Sequence, residues 1–244
     1  MHGTVRNGET RIMNLDVLNY PRSGDQTGQT IILGGLLVLL SVFLIPAVLL
    51  VGYLLRVLRG SAADEPKPPA VDDLADLFTE GLRGGVVVLV YGLIPLFGAA
   101  VVVGGLVGIA ADFGALGVLG VLTGGLLWLG LSLAVSYVAP AALANVAQKR
   151  TIDAGFDWET LVPVLKSEAY ASAWVAGVLV VLVAGAIASL LNFVPVIGAI
   201  GSAFVMFYAL VVAYHVIGLA WGDHAKHLLS VEPDVGGETE RSTA

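Results

Sequence analysis

Residues 51–95 read VGYLLRVLRGSAADEPKPPAVDDLADLFTEGLRGGVVVLVYGLIP, and the order of segments in that stretch decides the fold class. An apolar run ends in Arg56 and Arg59, a linker with Pro66, Pro68 and Pro69 follows, and a second apolar run opens after Arg83. Prolines spaced this closely keep the linker out of a helix, because each fixes φ and removes a backbone donor. Beyond them, Val71, Leu74, Phe78 and Leu82 recur at helical spacing while Asp72, Asp73, Asp76 and Glu80 fall elsewhere on the wheel. The stretch predicts a membrane helix leaving the bilayer, an amphipathic helix outside it over residues 71–83, and re-entry. On this reading Val71, Leu74, Phe78 and Leu82 face the bundle or the membrane. The carboxylates of Asp72, Asp73, Asp76 and Glu80 point outward as an interaction surface, with Glu80 and Arg83 as an i,i+3 ion pair.

Composition agrees with a chain built in lipid. Of 244 residues, 57% are hydrophobic and only 13% charged, and the mean hydropathy is +0.89. These values predict an all-α, polytopic transmembrane helical bundle. Five runs are long enough to cross, at about residues 31–57, 86–111, 114–147, 169–191 and 197–221. They form a transmembrane domain over 30–227, between an expected mobile polar arm (1–29) and an expected disordered acidic tail (228–244), with the start at either Met1 or Met13. Pro46 interrupts the first run and leaves two arrangements open: one kinked span with the N-terminus outside, or a re-entrant hairpin with it inside.

Arg56, Arg59, Lys67, Arg83, Lys149, Arg150, Lys166 and Lys226 all fall on one set of loops, which the positive-inside rule makes cytoplasmic. The expected location is the cell membrane, with the C-terminus cytoplasmic and the turns at Asp112 and Asn192 outside. A second cytoplasmic amphipathic helix is predicted over 157–168, capped by Asp157, with Trp158, Leu161 and Leu165 on its inner face.

The sequence GYLLRVLR from Gly52 to Arg59, followed by Pro69, Asp72, Asp73, Asp76, Leu77, Phe78, Gly81, Leu82 and Arg83, resembles the domain-of-unknown-function family 4013 (DUF4013). That family comprises mainly archaeal integral membrane proteins. Val71 and Leu74 stand where its members usually carry tryptophans, which weakens aromatic anchoring at those positions. The resemblance implies a helical membrane fold and supplies no activity.

Charge and residue types narrow the chemistry. A net charge of −7 disfavours nucleic acid, whose phosphates need a basic surface, and acids outnumbering a few lysines suit a halophilic protein. With no cysteine, thiolate catalysis and thiolate metal sites are excluded. Apart from Arg56 at the edge of the first run, His215 is the one acid, base or histidine inside the five runs, so an ion-coupled transporter lacks its usual midplane charge. His224 and His227, three apart, are a weak candidate metal pair. Ser132, Ser136, Ser172 and Ser189 have no neighbouring base and are expected to bond back to helix carbonyls. No catalytic or cofactor-binding residue stands out, and no cofactor is expected. Gly104, Gly108, Gly117 and Gly124 are expected at helix contacts, where small residues let backbones approach.

Two functions fit this chemistry. One is a non-enzymatic interaction or organising protein that presents its cytoplasmic amphipathic helices to a partner. The other is a permease or channel-like protein for a small or weakly polar solute. The partners expected are the lipid bilayer and a protein partner or second copy of the chain.

Overall fold

The computed structural model describes residues 16–24, 26–109, 114–194 and 196–231, which are mostly helical, with no strand among them. Five helices are long and apolar enough to cross a membrane. After helical turns at Asp16–Asn19 and Tyr20–Arg22 come α1 (Thr27–Leu39) and α2 (Leu44–Ala62). The long helices α3 (Leu74–Ile109) and α4 (Gly114–Lys149) follow. A 3-10 turn at Asp153–Phe156 leads to α5 (Trp158–Leu165), α6 (Glu168–Leu191) and α7 (Ile197–Val231).

The first apolar run is two helices rather than one continuous helix, folded back on each other as a hairpin. α1 has 13 residues, about 20 Å of helix against a hydrocarbon core of about 30 Å. It stops at Leu40, and Ser41 Oγ donates to the Val38 carbonyl at 2.7 Å. Pro46 then falls in the first turn of α2, where a missing N–H breaks no intrahelical bond. The chain enters and leaves at the same end: Tyr20 Oη donates to the Lys67 carbonyl at 3.3 Å, and Ser23 Oγ to that of Pro66 at 3.0 Å. The tip between the helices exposes Val42, Phe43, Leu44 and Ile45, as apolar residues surrounded by lipid would be.

Helix α3 runs unbroken from Leu74 through residue 83 and the second apolar run to Ile109, so no separate amphipathic helix precedes the span. Glycines set its distance from α2. A methyl group at Gly52 would collide with the Leu77 carbonyl oxygen, and one at Gly81 with that of Val48, so the two backbones touch.

Pro140 lies inside α4 and cannot bond to the Ser136 carbonyl four residues back. The Trp174 indole of α6 donates to that carbonyl at 2.9 Å, and Tyr170 Oη donates to the next one, Tyr137, at 2.6 Å. A helix defect thereby becomes the joint between α4 and α6. Asp157 caps α5 by accepting from the Thr160 amide at 3.3 Å and also binds Lys149 Nζ at 2.6 Å. The hydrogen bonds from Lys149 and Thr160 hold its carboxyl at about pKa 2. A lowered value means that the cap contributes at neutral pH and fades only as the pH falls below the usual aspartate range toward 2.

Burial is uneven along the bundle. Tyr53, Leu58, Leu77, Val87, Ala144, Leu161, Tyr170 and Ala220 are packed at the end where the basic residues gather. Val101, Leu126, Leu127, Leu182 and Phe193, toward the other end, are exposed. The ends of α2, α4 and α7, the starts of α3 and α6, and the segment before α1 all meet at this basic end.

Candidate functional site

The last two turns of α2 carry Arg56 and Arg59, three residues apart and so on neighbouring positions of one face. On α3, Leu77, Gly81, Gly84 and Val87 form the inward stripe, and Glu80 lies beside it. Its carboxylate is only 3% exposed. Around it stand Arg59 Nη2 at 2.9 Å, Arg56 Nε at 3.5 Å and Arg150 Nη2 at 3.7 Å. None of these is aligned as a hydrogen bond to Glu80, so the attraction is chiefly one of charge. Arg56 spans the acidic turn, with Nη1 at 2.9 Å from Asp72 and Nη2 at 3.0 Å from Asp76. Asp73 Oδ1 accepts from the Asp76 amide at 3.1 Å and so caps the start of α3.

This geometry corrects the reading of residues 71–83. Glu80 points inward rather than outward and pairs with Arg59, Arg56 and Arg150; Arg83 is not within ion-pair distance of it. Asp72 and Asp76 remain partly exposed but are tied to Arg56. Leu74, Phe78 and Leu82 face away from the bundle, and Val71 alone of that set packs against its core. A helix face that borders lipid can be as apolar as the face that packs on protein, while ionisable side chains turn toward partners in the bundle, an inversion of where a soluble protein places its charges. Arg56 and Arg59, a short linker ahead of an acidic turn, were the available sign of this inversion.

The remaining sequence candidates separate in space. In α5, Leu161 is buried and Leu165 half-buried, while Trp158 is exposed. Gly124 lies against Val102 of α3, at 3.3 Å from where its Cβ would be, whereas a methyl at Gly104 would meet open space, which corrects the expectation there. The side chains at 108, 117 and 227 and the residue Asp112 lie outside those described. His224 is half-buried near the end of α7, and no group of three metal-ligating side chains occurs among the described residues.

His215 is taken up in packing: its Nδ1 lies 2.7 Å from Ser61 Oγ, and the Tyr20 ring stacks on it at 3.5 Å. Ser132, Ser136, Ser172 and Ser189 donate to carbonyls three or four residues back in their own helices.

A pocket opens beside Glu80, enclosing no more than about 180 Å³ including space open to solvent, with Leu55, Arg59, Arg83, Val146, Ala147 and Arg150 as its other walls. Guanidinium groups stay protonated and donate in a fixed fork, so the arrangement suits holding an anion rather than moving a proton.

No curated protein and no solved structure matches the chain. A family model described as "Protein of unknown function (DUF4013)" matches residues 35–193, which include α2 through α6 and every charged residue of the Glu80 cluster. A helical membrane protein with this match over more than half its length belongs to the DUF4013 family.

Proposed function

We propose that this chain is a non-enzymatic organising protein of the cell membrane, with its basic end and both termini in the cytoplasm, offering a fixed surface to a partner. What supports the reading is the way the basic end is tied shut. Glu80 pairs across α2, α3 and the residue after α4; Tyr91 Oη donates to the Gly155 carbonyl at 3.0 Å; Asn145 donates to that of Ala154 at 2.9 Å; and Lys226 of α7 pairs with Asp64 after α2. A permease working by alternating access would have to break these ties in each cycle. The exposed apolar stripe of Leu74, Phe78 and Leu82 then lies in the membrane interface, and the platform consists of the linker after α2 and the segment around α5.

The chain has no native cysteine, so single cysteines report on this directly. In inside-out vesicles, Ser23→Cys and Thr79→Cys, both at exposed positions, should react readily with an impermeant maleimide. Ala144→Cys and Ala220→Cys, at positions 1% and 0% exposed, should react about 100-fold more slowly or not at all, as expected where local opening is rare. Comparable rates at all four positions would mean that the end opens, and the permease reading would replace this one. Labelling of the exposed pair only from the outer face would reverse the proposed orientation.

A further inference from the structure

We infer that the pocket bounded by Arg59, Arg83 and Arg150 is a binding site for a phosphate group, carried either by an anionic phospholipid headgroup or by a free phosphate. Three guanidinium groups line it against the single carboxylate of Glu80, so it is cationic within a chain whose net charge is −7. The three arginines are unequally engaged. Arg59 is held by Glu80 and by the Ala147 carbonyl, whereas Arg150 stands 3.7 Å from Glu80 with its side chain 58% exposed. Arg83 makes no ion pair among the described residues. Planar forks left with unused donors on one small cavity match the oxygens of a phosphate.

The backbone adds an independent observation. Arg150 sits just past the end of α4 with φ at 56° and its amide bonded to the Val146 carbonyl. This left-handed closing position favours glycine, and an arginine there carries strain that stability alone does not explain. That turn brings the Arg150 side chain to the wall of the pocket. Within the cavity, Glu80 holds Arg59 in place. The neighbouring surface points to lipid as one source: Leu82 and Leu89, on either side of Arg83 along α3, are 53% and 62% exposed, so the pocket borders the lipid-facing stripe at the level of the helix ends.

The inference uses the basic end described under the proposed function but not its rigidity, so the maleimide result and the binding result fail separately. The full chain, purified in a neutral detergent, is titrated at constant ionic strength with inorganic phosphate in one arm. In the other it is titrated with micelles containing phosphatidylglycerol, and with phosphatidylcholine as the zwitterionic control. The midpoint of thermal unfolding is read in each case. A saturable upward shift with phosphatidylglycerol alone identifies a lipid headgroup, and one with inorganic phosphate identifies the free anion. Two variants carry the decision. Arg83→Gln should weaken the response about tenfold or more, as loss of a charge-assisted bond does. Arg150→Gly should weaken it similarly, the ease of glycine in the left-handed region offsetting part of the lost contact with Glu80 in the ligand-free protein. No shift in either arm, equal shifts with phosphatidylcholine, or shifts that both variants retain in full would overturn the site.

Discussion

Replacing Glu80 with alanine is expected to destabilise the protein by about 3–5 kcal/mol, the range for removing one member of a buried charge group. The carboxylate is 3% exposed and sits among Arg56, Arg59 and Arg150. Its loss leaves Arg56 and Arg59, whose side chains are 11% and 27% exposed, without their buried counter-charge. Asp72→Asn and Asp76→Asn should each cost about 1 kcal/mol or less, because those side chains are 75% and 50% exposed and an exposed pair is weak. An outward-facing acidic surface would give three small and similar effects. Unfolding in mixed micelles, followed by helical circular dichroism, separates the two patterns.

The second large effect is expected at the contact of α2 with α3. Gly81→Val should cost about 2–4 kcal/mol, at or above the usual overpacking range, because the obstacle is a backbone carbonyl that cannot rotate away. Gly52→Val should behave alike, since its obstacle is the carbonyl of Leu77. Gly104→Ala provides the contrast. It meets open space on an exposed helix and should be neutral or slightly stabilising through helix propensity. Melting of the three variants in the same detergent checks the ranking, and equal effects at Gly81 and Gly104 would show that α2 and α3 are not in backbone contact.

The helical class and the presence of five helices long and apolar enough to cross a membrane were legible because both rest on long-range composition, which needs no knowledge of neighbours. The cap at Asp157 was legible too, since it depends only on residues three apart. What failed was the direction of faces. Leu74, Phe78 and Leu82 are apolar whether they meet protein or lipid, and periodicity alone cannot say which. Glu80 looked like surface charge because its partners Arg59 and Arg150 come from 21 residues upstream and 70 downstream, a juxtaposition created by tertiary structure alone. The hairpin of α1 and α2 stayed open for a related reason: Pro46 is compatible with a kink and with a first turn, and the bonds from Tyr20 and Ser23 to the Pro66–Lys67 linker decide between them. The tight glycines, Gly52 and Gly81, lie in the very stretch that carries the family resemblance. Counting glycines in apolar runs pointed instead to Gly104, because density of small residues does not reveal which of them face a neighbour.

The claim on which the account rests is that Glu80 turns inward and binds Arg59 across the contact of α2 with α3. A double-mutant cycle tests it most directly. Glu80→Ala, Arg59→Ala and the double variant are unfolded under the same conditions, and the coupling energy is taken from the three differences. The account predicts that the double variant is less damaged than the two single effects summed, with a coupling of about 1–3 kcal/mol, as for residues in one charge network. Additivity within about 0.5 kcal/mol, the behaviour of distant sites, would place Glu80 and Arg59 apart and contradict the inward orientation of the acidic turn.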